Sequence, residues 1–427
     1  MWACSINGAN PESASRDIAR TASGERSRTL DTLRITFVQH GDYREAALRL
    51  ASGGEETYYA QRYSVDFVAQ LASQTADVSV ACVAAEAYDE RLPSGVRVVG
   101  MGRDAGSFRT LLDWLSRQPP THLVPRTPSD ALLRWALERG VRTLPLLADS
   151  FGRSDLRARL RHWRLQRQLN RSPIAWVGNH NFNASRDLAR IGVDARKIIP
   201  WDWPVAASPH QFAARHAAEG CRIFYVGQLA EAKGLGDVIL ALPLLQRLGL
   251  PATLTVVGAG QQAVFEKLAQ DAGVASHVQF LGRIGHARVI EHMQSHDVVV
   301  VPSRHEYPEG LPMSIYDALS SRTPLVLSDH PMFAGKVEHG VSALVFRARS
   351  PEDLAGRIQE LARDPALYRR LSEQSAQAWD RLRAPVLWGE LIDRWLRDAD
   401  DDRRWLAARS LAACAPDASG DGHGSSR

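Results

Sequence analysis

VVVVPSRHEYPEGLPMSIYDALSSRTPLVLSD, residues 298–329, reads as a strand, a loop, a helix and a second strand in direct succession. Val298–Val301 is a short β-branched apolar run, the pattern of a strand buried on both faces. Residues 302–310 form a polar, proline-containing loop. Pro312 fits the first position of a helix, where its missing N–H costs nothing. Thr323-Pro324 ends that helix, and residues 325–327 are the next strand. At such a corner the unpaired N–H groups of the helix start point into the loop and favour an anion. Glu309 stands at the mouth of the corner, and Asp317 lies on the helix one turn beyond Met313, on the same face. Taken singly, Glu309 is equally a complement to the helix dipole and Asp317 a solvated polar position.

Strands alternate with helices on both sides of this corner. In the same half, strands are expected at 223–226, 252–257, 278–281 and 343–346, with helices at 237–248 and 263–272. The first half repeats the alternation, with strands at 33–39, 78–83, 96–99, 123–125, 143–147, 174–177 and 197–199 and helices at 55–73, 108–117 and 130–139. This is an α/β chain with two Rossmann-like, doubly wound and mainly parallel halves. The expected division is a disordered leader at 1–30, a first domain at 31–205, a second at 206–384 and a disordered tail at 399–427 that opens with Asp400-Asp401-Asp402. The run 201–209 is the hinge, and a late amphipathic helix lies within 385–398. Ligands of such sheets bind beyond the carboxyl ends of the strands, so the cleft between the halves is the expected site.

Composition narrows the setting. A chain of 427 residues is long enough for two ordinary domains, and no apolar run approaches the ~20 residues of a membrane span. Residues 1–30 hold Arg16, Arg20, Arg26 and Arg28 without a central apolar block, which fits a disordered leader rather than a secretory signal. Cys4, Cys82, Cys221 and Cys414 lack metal-ligand spacing, the usage expected of a reducing cytoplasm. A formal charge of +4 is too small to imply a nucleic-acid partner.

Directly after the first strand of the second half comes Gly227-Gln228-Leu229-Ala230-Glu231-Ala232-Lys233-Gly234. Gly227 allows close approach of the backbone to a ligand, and Lys233 is a point cation suited to a diphosphate. Taken with Glu309-Gly310-Leu311-Pro312 and Asp317, the segment resembles the E-x7-E signature of the retaining, nucleotide-sugar-dependent glycosyltransferases of family 4, which have the GT-B fold. The loop at 227–234 is similar to that family's G-R-L-x-x-x-K-G motif. The resemblance implies transfer of a sugar from a nucleotide-diphosphate donor to a glycan, lipid-linked or small-molecule acceptor, with no further cofactor and no metal. It implies that Lys233 and the N–H groups of Gly310 and Leu311 stabilise the leaving diphosphate, that Glu309 binds donor-sugar hydroxyls, and that Asp317 binds the ribose. It also places the Gly227, Gln228 and Gly258 loops beside the nucleotide, with the base held along Gly282-Arg283-Ile284, and it returns the helix within 385–398 to complete the first domain. Two departures stand out: Gln228 replaces the family's arginine, and Asp317 is one methylene shorter than the family's second glutamate.

Rival readings are weaker. Gly258-Ala259-Gly260-Gln261-Gln262-Ala263 fits the dinucleotide fingerprint of a hydride-transfer enzyme. It follows the second strand of its half rather than the first, and no acid ends the next strand. His292 and His296 lack a surrounding zincin pattern, and Asp398-Ala399-Asp400 lies in the polar tail instead of after a strand. A non-catalytic sugar-nucleotide or glycan-binding protein that kept the GT-B fold remains open, since Gln228 and Asp317 both depart from the motif.

The first half is less explicit. Relatives of the resembled family place a histidine after a first-domain strand; here that region reads His122-Leu123-Val124-Pro125-Arg126. His122 falls within the strand and Arg126 in the loop, so Arg126 is the expected cleft-facing group. The Gly53-Gly54 loop, Asp149 and Ser150 are further candidates. Residues 153–171 carry seven arginines against one aspartate, interleaved with Leu156, Leu160, Trp163 and Leu169. That segment suits either a solvated face or peripheral contact with an anionic inner-membrane surface.

Overall fold

The computed structural model describes residues 32–56, 60–104, 106–151, 155–205, 207–217, 220–307 and 312–414. The expected leader, Arg153, residues 415–427 and three expected site residues, Glu309, Gly310 and Leu311, lie outside the described residues.

The first half contains β1 (Arg34–Gln39), β2 (Asp77–Cys82), β3 (Tyr88–Arg91), β4 (Arg97–Gly100), β5 (His122–Pro125), β6 (Arg142–Thr143), β7 (Leu146–Leu147), β8 (Val177–His180) and β9 (Ile198–Asp202). The second contains β10 (Arg222–Val226), β11 (Thr253–Val257), β12 (Val278–Phe280), β13 (Val298–Val301), β14 (Leu325–Ser328) and β15 (Leu344–Phe346), and β16 (Val386–Leu387) follows. The sheet orders are β3-β4-β2-β1-β5-β6, β16-β9-β8-β7 and β12-β11-β10-β13-β14-β15. Pairing is parallel except where β3 meets β4.

The Val298–Val301 run shows why the second half is doubly wound. Val298 and Val300 pack with Ile223, Leu235 and Leu354 on one face, while Val299 and Val301 pack with Phe224, Ile315 and Leu319 on the other. A strand covered by helices on both sides needs no polar alternation. Register is pinned at the strand start, where Arg222 N donates to Asp297 Oδ2 at 2.8 Å and the two side chains pair at 2.9 Å. The sheet grows in opposite directions from β10 and β13, which puts a topological switch point beside the loops that follow them.

Several elements differ from expectation. The strand expected at 143–147 is broken into β6 and β7 at Leu144-Pro145, because proline offers no N–H to continue the ladder. Its neighbour runs at Val177–His180 rather than 174–177. The helix expected from residue 55 begins at Gln61, and a separate helix, Tyr43–Ala51, precedes it, capped by Asp42 accepting from Glu45 N. Pro312 is the cap of the Met313–Ser320 helix rather than its first residue.

The tail from 399 is also corrected as far as Cys414. Asp400–Ala407 and Leu411–Cys414 are helices, with Leu406 and Leu411 buried. Asp400, Asp401 and Asp402, expected in a disordered tail, occupy the first turn of a helix, where negative charge complements the dipole. Asp402 is buried and accepts from Arg397 Nη2 at 2.6 Å and Arg394 Nη1 at 2.9 Å, and Trp405 lies under two guanidiniums at 3.8 Å. Hydrogen bonds from Arg397 hold the Asp402 carboxyl below its ordinary value. Asp402→Asn is expected to lower unfolding stability by about 2 kcal/mol at pH 7. Because the folded-state pKa is depressed, that difference is fully present above the unfolded value of 3.8 and closes as pH falls through the folded value. Denaturant titrations across that acid range measure it.

The two halves share one hub. Asp202, fully buried, accepts from Trp203 N at 2.9 Å, Tyr316 Oη at 3.1 Å and Ala384 N at 3.4 Å, and lies 3.3 Å from His180 Nε2. One carboxylate therefore ties both crossings of the chain to the helix that carries Asp317. The Trp388 ring lies tilted against Trp203 with centroids 5.3 Å apart, and the Trp388–Arg397 helix contributes Leu391, Ile392 and Trp395 to the core built on Ile35 and Phe37.

Candidate active site

The loops after β10, β11 and β12 are stitched together by their backbones. Gly227 N donates to Val257 O at 3.0 Å, Leu229 N to Ala259 O at 2.9 Å, and Gly258 N to Gly282 O at 2.8 Å. Gly258 sits at φ +143, where a Cβ would stand 1.8 Å from Gly227 O. The G-x-G pattern is thus required by loop-on-loop packing, whatever binds beside it.

Lys233 ends a short 3-10 turn, Glu231–Lys233, that leads through Gly234 into the Leu235–Arg247 helix. Gly234 has φ +77, and a Cβ there would meet Pro302 O at 2.0 Å, so the lysine loop runs hard against the loop after β13. Arg304 fastens the two. Its N donates to Ala232 O at 2.9 Å, its Nη2 and Nε to Asp237 at 2.7 and 3.1 Å, and its Nη1 to Glu231 at 3.1 Å. Lys233 Nζ stands 4.3 Å from the centre of the Tyr307 ring, and Tyr307 Oη donates to Gln228 Oε1 at 3.1 Å. Lys233 and Gln228 thereby share a corner with Tyr307, two positions before Glu309.

This corner opens into a cavity of about 620 Å³. Gly227, Gln228, Lys233, Gly258, Arg283 and Asp317 all line it, as do Pro312 and Met313 at the helix start. Lys233 and Arg283 are its lysine and arginine among the described lining residues. Asp317 Oδ1 is 3.0 Å from His286 Nε2. Burial raises the Asp317 carboxyl pKa, and His286 opposes the rise. For His286 burial is the largest influence and acts against the charge, but the hydrogen bond and charge of Asp317 together with the charge of Glu56 outweigh it and raise the imidazole pKa. Glu56, from the first half, lines the same cavity.

The other expected residues lie elsewhere. Arg126 does not line this cavity: its guanidinium lies over the rings of Trp388 and Trp203 at 5.5 and 6.0 Å, and its Nη1 donates to Gln39 Oε1 at 2.7 Å. Gly53 and Gly54 close the end of the Tyr43–Ala51 helix, donating to Leu50 O and Arg49 O, and leave the lining to Glu56. His122 is buried in β5, where burial pushes its pKa down to about 4. Asp149 N bonds Asn179 Oδ1 at 3.3 Å, and burial raises the pKa of its carboxyl.

Sequence reasoning missed Arg304, Tyr307, His286 and Glu56. Only the first had a visible signal: Asp237 is a lone acid in an apolar helix and needs a buried partner.

Residues 210–378 match the model of the family described as glycosyl transferases group 1. A glycogen synthase of Mycobacterium tuberculosis is 32% identical over 192 residues, 44% of this chain and 43% of that protein. An alpha-D-kanosaminyltransferase of Streptomyces kanamyceticus is 26% identical over 271 residues, 61% of each. The chain thus spans about half the length of the curated relatives it matches. Among solved structures, Anabaena HepE in complex with UDP-glucose superimposes with a TM-score of 0.59 at 15% identity, covering 86% of this chain and 98% of that one. At that identity the likeness speaks for the fold, which is GT-B. Residues 210–378 thus match the glycosyl transferases group 1 family, in a chain whose fold is GT-B.

Proposed function

We propose that the protein is a retaining glycosyltransferase that moves a hexosyl group from a nucleotide-diphosphate sugar to an acceptor hydroxyl. The observation that carries this is the corner where Lys233, Gln228 and Tyr307 adjoin the start of the Met313–Ser320 helix, within one cavity that also holds Arg283 and Asp317. The C1–O bond to the diphosphate breaks with its electron pair leaving on the phosphate oxygen. The acceptor oxygen bonds C1 on the same face, and its proton passes to the departing phosphate. Charge builds on the diphosphate in the transition state, so fixed cations and N–H groups aimed there supply most of the acceleration. Lys233 is the nearer cation by motif, and Arg283 supplies the second charge that Gln228 does not. Glu309, Gly310 and Leu311 keep the roles their motif implies, with the charge neutralised by side chains and helix N–H groups instead of a metal. The names of the relatives support this reading.

The test is turnover of UDP-, GDP- and ADP-hexoses, with the anomeric configuration of the product followed by NMR. Release of nucleoside diphosphate with retained configuration, undiminished by EDTA, is the expected result. Binding without turnover would instead assign the non-catalytic sugar-nucleotide-binding reading.

The acceptor side is proposed to work at an anionic inner-membrane surface. Among the described residues no helix is long and apolar enough to cross a membrane. The Leu156–Leu169 helix, however, buries Ala158, Leu165 and Leu169 while Leu156, Leu160 and Trp163 are 81%, 48% and 49% exposed. Exposed Arg157, Arg159, Arg161, Arg164 and Arg167 flank that apolar stripe. Each such charge near an anionic surface contributes about 1 kcal/mol. Flotation with phosphatidylserine vesicles is expected to show binding that weakens with salt and is abolished by combining Leu160→Glu with Trp163→Glu. Absence of binding by the parent protein contradicts the assignment.

A further inference from the structure

This inference rests on the nucleotide-sugar reading of the cavity. We propose that His286, rather than the carboxylate of Asp317, is the group that holds a ribose hydroxyl of the donor, with Asp317 as its positioning residue. The motif expects a glutamate at 317, and the chain supplies an acid one methylene shorter. The structure shows what fills the difference. The Asp317 side chain is 11% exposed, and its Oδ1 is engaged by His286 Nε2 at 3.0 Å. The His286 side chain is 17% exposed and lines the same cavity. Both groups line the cavity and the imidazole is the more exposed of the two, so the ring can restore the reach that the missing methylene removes. His286 opens its helix, His286–Ser295, directly after the Arg283-Ile284 segment that lines the cavity.

Charge fits the assignment. Burial disfavours the protonated ring, but Asp317 and then Glu56, which lines the cavity from the first half, favour it and raise the imidazole pKa. A protonated imidazole oriented by the Asp317 carboxylate is a donor suited to a hydroxyl oxygen. An aspartate serving the ribose alone would require His286 to be spectator packing, and that alternative makes a different prediction.

The test is calorimetric titration of UDP, GDP and ADP, and of their 2′-deoxy and 3′-deoxy forms, against the parent protein, His286→Phe, His286→Ala and the double variant His286→Ala/Asp317→Glu. The parent is expected to prefer the ribonucleotide over one deoxy form by about tenfold, the factor set by one good hydrogen bond. His286→Phe is expected to lose that preference while binding the deoxy form within about twofold of the parent. The longer acid in the double variant is expected to restore the preference that His286→Ala lacks. Equal weakening of ribo and deoxy forms by His286→Phe, or an undiminished preference, would make His286 a packing residue and overturn the proposal while leaving the nucleotide site intact. Failure of the parent to bind any of the three diphosphates would overturn the nucleotide reading itself, and this inference with it.

Discussion

Lys233→Ala is expected to lower sugar transfer by about 10²–10³-fold while leaving stability within about 0.5 kcal/mol of the parent. The asymmetry follows from how the loop is built. Its backbone is held by Gly234 against Pro302 O and by Ala232 O accepting from Arg304 N at 2.9 Å, and the lysine side chain takes no part in either contact. Removing the ammonium therefore takes one cation from the corner without releasing the loop. Lys233→Arg should recover only part of the rate, because a planar fork does not place its charge where a point cation does. Steady-state rates with saturating donor, set beside thermal unfolding, separate the two effects. Full turnover by Lys233→Ala contradicts the assigned role.

Arg304→Ala is expected to have the largest effect on stability, about 3–5 kcal/mol. Asp237 is 4% exposed in its side chain and takes two charge-assisted bonds from Arg304, at 2.7 and 3.1 Å. Losing the arginine leaves a buried carboxylate without its cation, and the alternative of protonating it near neutral pH is costly. The double variant Arg304→Leu/Asp237→Leu removes both charges and should recover most of the stability. It should not recover turnover, since the bond from Arg304 to Glu231 that steadies the Lys233 turn is also gone. Urea unfolding of the single and double variants, with rates measured in parallel, decides this. Near-parent stability in Arg304→Ala would show that the pair carries little.

What the sequence made legible was whatever rests on neighbours along the chain. The four valines at 298–301 announced a strand covered on both faces, and they divide between two helix layers as such a strand must. Lys233, Gly227, Gln228, Gly258, Arg283 and Asp317 came from motif spacing, and all line one cavity. The hidden parts depend on partners far apart in sequence. Arg304 and Asp237 are 67 positions apart, and His286 and Asp317 are 31 apart, so neither pair leaves a local pattern. The Asp400–Asp402 run misled for a related reason: its charge density resembles a solvated tail unless Arg394 and Arg397 on the preceding helix are seen to face it. Arg126 misled because a loop position after a strand does not reveal that two tryptophans and Gln39 hold the side chain.

A diphosphate seated between Lys233 and the start of the Met313–Ser320 helix is most directly tested by titrating UDP, GDP and ADP, and the matching nucleosides, against the parent protein and Lys233→Ala. For the donor's base, the diphosphate is expected to bind the parent about 10²-fold more tightly than its nucleoside, a gap of ~2.7 kcal/mol. In Lys233→Ala that gap is expected to shrink by about tenfold while the nucleoside binds as before. Nucleoside and diphosphate binding the parent equally, or a gap unchanged in Lys233→Ala, would contradict the cradle.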